Sequence, residues 1–165
     1  MATYTIPFIG DVNLDELQDR YDASTEINGT KVRLDINFDS LSVDTDSVQT
    51  IVAFINNLEI YHNQNIQYYQ KDYYEDGEAE AYIEEYYEDY LVDELEMYVD
   101  ITLPVLSQKQ QLLDLLELVR VGIYPDGKNY GVFDYSIKLD GEYCNQLLVV
   151  ITDAKGELVE VTWES

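Results

Sequence analysis

Cysteine, histidine and basic side chains are all scarce in this chain. Cys144 is the only cysteine and His62 the only histidine. One cysteine excludes an internal disulfide, and one of each cannot furnish the tetrahedral nitrogen and sulfur set of a structural zinc site. No apolar run approaches the roughly 20 residues that a membrane helix needs. The second residue is Ala2, not the glycine of a myristoylation signal. Met1-Ala2-Thr3-Tyr4 opens no apolar leader, so the expected setting is the reducing cytosol, with no membrane partner.

Basic residues number nine against 34 acidic ones, a formal net charge of -25. Such a field repels phosphate-rich nucleic acid and anionic lipid, so neither is expected as a partner. The catalytic signatures are missing too. There is no Gly-x-Ser-x-Gly elbow, no phosphate loop and no dinucleotide glycine motif. The loop pattern of a calcium hand is absent; Asp39, Asp44 and Asp46 are the nearest cluster and lack its glycine turn. His62 is expected on the polar flank of a helix, and Cys144 has no basic residue near it in sequence to favour a thiolate. We therefore expect no catalytic, cofactor-binding or metal-ligating residues, and no cofactor.

What is present suffices for a core. Hydrophobic residues make up 46% of the chain, too many for the disorder that goes with high charge and low hydrophobicity. The 165 residues suit one globular domain, 1–165. Thr3 to Ile9 is a short strand interrupted by Pro7, and Asn13 to Tyr21 could hold a helical turn with Leu14 and Leu17 on one face. Asn28-Gly29 between Ser24–Ile27 and Thr30–Phe38 is a hairpin signal. It also matches a glycosylation acceptor with Thr30, but in a cytosolic chain it reads as a turn. In the second arm Val32, Leu34, Ile36 and Phe38 alternate with Lys31, Arg33, Asp35 and Asn37, so one face needs a cover.

Helices supply it. Asp44 or Asp46 can cap a helix whose stripe is Val48, Ile51, Val52, Ile55 and Leu58, ending between Gln64 and Tyr69. A second is expected over Ala79 to Tyr98, after Gly77, and a third over Gln108 to Leu118, with Leu112, Leu115 and Leu116 inward. Val119 to Tyr124, Tyr130 to Leu139, Gln146 to Thr152 and Leu158 to Trp163 are strands separated by turn residues. The short gaps favour antiparallel pairing. The expected fold is α+β, a mostly antiparallel sheet from the N- and C-terminal segments covered on one face by two to three central helices.

Between Lys71 and Lys109 lie 37 residues without a basic side chain, and thirteen of the 29 from Asp72 to Asp100 are acidic. Seven of the sixteen tyrosines fall in the same stretch. On the 79–98 helix Ile83, Tyr87, Leu91 and Tyr98 would face the core, flanked by Tyr90 and Leu95. Glu80–Glu84, Glu84–Glu88, Glu85–Asp89 and Asp89–Asp93 are like-charged pairs four apart. Each opposes an isolated helix by about 0.2–0.5 kcal/mol, so packing, a neighbouring base, cations or a basic partner must offset about 1–2 kcal/mol.

The ordered pieces resemble a bacterial family. Ile6-Pro7-Phe8-Ile9-Gly10, Val32-Arg33-Leu34-Asp35-Ile36-Asn37-Phe38 and Val121-Gly122-Ile123-Tyr124-Pro125 carry the likeness. Phe133-Asp134-Tyr135-Ser136-Ile137, Leu147-Leu148-Val149-Val150 and Thr162-Trp163-Glu164-Ser165 extend it over nearly the whole chain. The family is the one catalogued as domain of unknown function number two-thousand-and-four. The resemblance implies a small, acidic, cytosolic bacterial protein of α+β build, and no activity.

The charge pattern leaves two functional classes. In the first, the chain is a non-enzymatic interaction module that grips a basic protein, as immunity proteins or inhibitors do. The contact residues are then Tyr82, Glu84, Glu85, Tyr86, Glu88, Asp89, Tyr90 and Asp93, tyrosine supplying rigid area and carboxylates pairing with the partner's cations. In the second, the chain is a metal-assisted hydrolase with an acidic cleft, in which several carboxylates would surround a bound cation and water. The oligomeric state is left open.

Overall fold

The computed structural model describes residues 2–90 and 94–164, the side chains of Asp89 and Tyr90 apart. Strands β1 (Thr3–Ile6) and β2 (Gly10–Asn13) pair antiparallel as a small hairpin. The stretch Asn13–Tyr21 is not helical. Its amides bond distant carbonyls instead, Leu14 N–H to Ala2 O at 2.8 Å and Leu17 N–H to Leu41 O at 2.8 Å, which buries Leu14 and Leu17 without a helix.

Strands β3 (Arg20–Ile27) and β4 (Thr30–Asn37) form the expected hairpin. Asn28 and Gly29 take φ of 50° and 81°, the doubly positive turn that suits the right-handed twist of paired strands. Asp44 caps α1 (Thr45–Asn56), its carboxylate accepting from Ser47 N–H at 2.7 Å. This bond to the ionised form lowers the Asp44 pKa. The single helix expected from here is two: the chain breaks at Asn57, whose side chain donates back to Ala53 O at 2.8 Å, and α2 (Leu58–Tyr74) runs well past Tyr69.

The chain then turns through Asp76, at φ 59°, into α3 (Glu78–Glu85). Asp72 reaches over this turn to accept from Ala79 N–H at 2.8 Å, and a Cβ at Gly77 would collide with that carboxylate. Helix α3 passes directly into a π-helical turn, Tyr86–Tyr90, and a short 3-10 turn lies beyond it at Leu95–Met97. The expected 79–98 helix is thus cut to about half its length. Helix α4 (Val105–Asp114) starts earlier than expected, right after Pro104. Leu112 and Leu116 are buried as expected, but Leu115, past the helix end, is exposed.

The C-terminal third supplies β5 (Glu117–Ile123), β6 (Gly131–Ser136), the hairpin β7 (Lys138–Leu139) and β8 (Glu142–Tyr143), β9 (Leu147–Thr152) and β10 (Leu158–Glu164). The main sheet has the order β10-β9-β6-β5-β4-β3. All its pairs are antiparallel except β4 with β5, which run parallel because the helices form the crossover between them. The fold is α+β. Helices cover one sheet face: Phe54 of α1 lies 6.0 Å from Phe133 and 5.2 Å from Tyr130, Tyr69 of α2 5.3 Å from Tyr135, and Tyr82 of α3 6.3 Å from Trp163. Among the described residues no helix is long and apolar enough to cross a membrane.

Candidate functional site

The acidic segment divides into an inward and an outward face. Ala79, Tyr82, Ile83 and Tyr86 are fully buried, whereas Tyr87, expected on the core stripe, is only half-buried. The π turn adds a residue per turn and rotates the side chains beyond it. Tyr82 Oη lies 3.2 Å from Tyr86 Oη and 3.0 Å from the Gln146 carbonyl oxygen. Burial is the main cause that raises both phenol pKa values, so these tyrosines are neutral core anchors and not contact area for a partner.

The carboxylates stay outside. Glu88 is exposed and Glu85 half-exposed, while Glu84 ion-pairs with Lys109 from α4. Lys109 Nζ also sits 5.2 Å from the Tyr87 ring centroid. This lysine is the neighbouring base that partly offsets the crowded carboxylates. It does so incompletely, since burial and then the charge of Glu84 raise the Glu80 pKa. Asp93 lies outside the described residues, as do the side chains of Asp89 and Tyr90. Of the described carboxylates from Asp72 to Asp100, Glu75 and Glu84 alone have a basic side chain within 4.0 Å. The Glu75 partner, Lys71, is three-quarters exposed at 3.9 Å, a pair of little weight.

The next segment along the chain is apolar and uncovered. Met97, Ile101, Leu103, Val105 and Leu106 are all exposed, Met97 by 65%. Several large apolar side chains left exposed in one short segment are a mark of protein contact sites.

A second constellation, not anticipated from the sequence, occupies the sheet face away from the helices. Three adjacent strands each contribute one charge to it: Asp35 on β4, Arg120 on β5 and Asp134 on β6. Arg120 Nε and one terminal nitrogen donate to the two Asp35 oxygens at 2.7 and 2.8 Å, its other terminal nitrogen to Asp134 at 3.1 Å. Tyr124 Oη accepts a further bond at 2.9 Å, and Asn37 donates to Asp35 at 2.6 Å. Arg20 approaches Asp35 to 3.6 Å from β3.

Burial pushes both carboxyl pKa values up. For Asp35 the bonds from Arg120 and Asn37 and the nearby cations outweigh burial and hold it below the ordinary value. For Asp134 the single Arg120 bond does not, and Glu164 and Asp35 add repulsion, so it stays above. The guanidinium itself is pulled down by burial but raised overall by these partners, and remains charged. With every oxygen of Asp35 engaged, the constellation is a structural clasp and not an open acid–base pair.

Two cavities flank the clasp. One of about 480 Å³ is lined by Asn37, Asp39, Tyr124, Asp126, Gly127, Lys128, Asn129 and Val132. The other, of about 420 Å³, is lined by Lys31, Arg33, Val119, Tyr143, Cys144, Asn145 and Leu147. Cys144 is therefore not remote from basic residues, as its sequence neighbours suggest; β4 brings Lys31 and Arg33 to the same cavity. No family model, curated protein or solved structure matches the chain. The function must therefore be read from the chemistry of these surfaces.

Among the described residues no group of three His, Cys, Asp or Glu side chains converges as a metal site would require. His62 is not on a polar flank: its Nδ1 lies 3.0 Å from Tyr135 Oη, with the rings stacked at 5.6 Å. Burial lowers its pKa, favouring the neutral ring.

Proposed function

We propose that the chain is a non-enzymatic interaction module that docks a basic protein on its acidic helical edge. The observation that supports it most is the unpaired charge: the described carboxylates from Asp72 to Asp100 find almost no counter-charge within the chain. Like charges held close without internal relief favour an external cationic surface. Glu85 and Glu88 form the acidic part of the contact, and the exposed strip Met97 to Leu106 the apolar part. Apolar centre and charged rim are the usual anatomy of a specific interface.

Tyr82 and Tyr86 play no direct part, because they are core residues. Glu84 contributes through Lys109 and not as a free acid. The partner is read by its chemistry, a protein with a cationic patch around an apolar one. An enzyme that holds nucleic-acid phosphate has such a patch, and blocking it is what inhibitors and immunity proteins do. Nucleic acid itself is excluded from the reading by the net charge of -25. A cytosolic setting accords with the unpaired Cys144. Membership of the bacterial family of unknown function is part of the same proposal, on the order and spacing of its strand motifs, and adds no activity.

The test is affinity capture from a bacterial lysate with the whole chain as bait, against Glu85→Lys/Glu88→Lys. A basic protein held at low salt, released by high salt and lost with the double reversal is the expected result. Capture that ignores the reversal would overturn the assignment of the surface.

A further inference from the structure

The cations of this chain are placed as selectively as its carboxylates. Arg20, Lys71, Lys109 and Arg120 are in ion pairs. Among the described residues Lys31, Arg33, Lys128, Lys138 and Lys155 are not, although the chain holds 34 acids against nine bases. Two of these five, Lys31 and Arg33, line the cavity of about 420 Å³ on the uncovered sheet face. A third, Lys138, sits 5.1 Å from the ring of Tyr143, which lines the same cavity.

The local geometry explains the gathering. Lys31 and Arg33 are two apart on β4, so both point away from the core that Val32 and Leu34 enter. The β5–β6 register shifts between Leu118 and Arg120, leaving Val119 without a partner in the ladder and on the cavity lining. Such bulges re-aim side chains beside binding sites. Leu147, at the start of β9, adds a second apolar contact, and the β7–β8 hairpin brings Tyr143 with Asn145 just beyond it. Acids on the surrounding strands include Glu26, opposite Lys31 in the β3–β4 register, Glu117, which with burial raises the Tyr143 pKa, and Asp35, whose oxygens are taken by Arg120. None of the three is within ion-pair distance of Lys31 or Arg33.

We infer that this cavity binds a small organic anion, its carboxylate or phosphate group held by Lys31 and Arg33 and its apolar or aromatic body against Val119, Leu147 and Tyr143. An arginine fork beside a lysine point charge matches the planar or tetrahedral oxygens of such groups. The volume falls in the range of ligand pockets, about 300–1,000 Å³, which combine apolar lining with a few placed polar groups. Internal carboxylates are plentiful here, so two cations left without one beside a cavity await an anion from outside.

The experiment is an amide NMR titration of the whole chain with benzoate, phenyl phosphate and the uncharged benzamide. Benzoate or phenyl phosphate should move the amides of residues 31–33, 119 and 143–147 in a saturable way, with a Kd below about 1 mM. The tighter of the two assigns the anion. Benzamide should bind at least about tenfold more weakly, a difference of about 1.4 kcal/mol. Lys31→Gln/Arg33→Gln should weaken the anion about tenfold or more; Lys31→Gln alone, at an exposed position, serves if the double variant unfolds. Absence of saturable shifts with both anions, equal binding of benzamide, or binding kept by the variants would each overturn the assignment.

Discussion

Toward the helices the main sheet presents Leu34, Ile36, Val121, Phe133 and Tyr135, all buried under α1 and α2. Toward the other side it presents Asp35, Arg120 and Asp134, which no helix covers. Yet Asp35 retains only 2% of its side-chain exposure and Arg120 17%. The first face is held by area removed from water, which is non-directional and tolerant of shape. The second is held by directed bonds among charges, where each member is costly without the others. One sheet thus buries its two sides by opposite means, and the sides should break differently.

The largest effects come from removing one member on either side. Phe54→Ala should cost about 3–5 kcal/mol, the loss of a large buried ring plus its cavity. Asp35→Asn should cost a similar amount, about 3–5 kcal/mol, because Arg120 loses its bidentate charge partner while still buried. Urea unfolding measures both. Acid should separate them. Because the folded pKa of Asp35 is lowered, its stabilisation is present above the ordinary value of 3.8 and is lost as pH falls through the lower folded value. The Phe54→Ala deficit should stay constant over that window, whereas the Asp35→Asn deficit should shrink.

Asp134 sharpens the contrast within the clasp. Its folded pKa is raised, so its ionised form is a burden above the folded value and its contribution is most favourable at low pH. Asp134→Asn should therefore shift stability at neutral pH by no more than about 1 kcal/mol, since the amide oxygen can still accept from Arg120. Carboxyl NMR should find Asp134 gaining its proton before Asp35 as pH falls. The reverse order would mean that the clasp is not centred on Asp35.

The smallest effect is expected at the acidic edge. Lys109→Gln should cost about 1 kcal/mol or less, as the Glu84 pair is partly exposed and screened. Loss of several kcal/mol would make Lys109 a core residue and the carboxylates around it structural.

The apolar side was legible where the pattern is local. The Asn28-Gly29 turn, the Val48 to Leu58 stripe and the C-terminal strands all rest on spacing within a few residues. The misreadings arise where distant groups decide. The helical turn at Asn13–Tyr21 yields to carbonyls of Ala2 and Leu41, and α3 turns Ala79, Tyr82, Ile83 and Tyr86 to the core, leaving Tyr87, at the start of the π turn, only half-buried. The charged side was illegible because Asp35, Arg120 and Asp134 meet only through strand order. A signal did exist: each is flanked on both sides by apolar strand residues, as in Phe133-Asp134-Tyr135 and Val119-Arg120-Val121. A charge so flanked within a strand asks for partners across the sheet.

The central claim is that position, and not total charge, makes the acidic helical edge a docking surface. The most direct measurement is the affinity of the captured basic protein for two charge-matched variants. Glu85→Lys/Glu88→Lys alters the helical edge, and Glu26→Lys/Glu160→Lys makes the same charge change at exposed positions on the sheet strands. Binding should be lost in the first and stay within about threefold of the unmodified chain in the second, under about 0.7 kcal/mol. Equal weakening in both would contradict the claim and reduce the edge to a contributor to net charge.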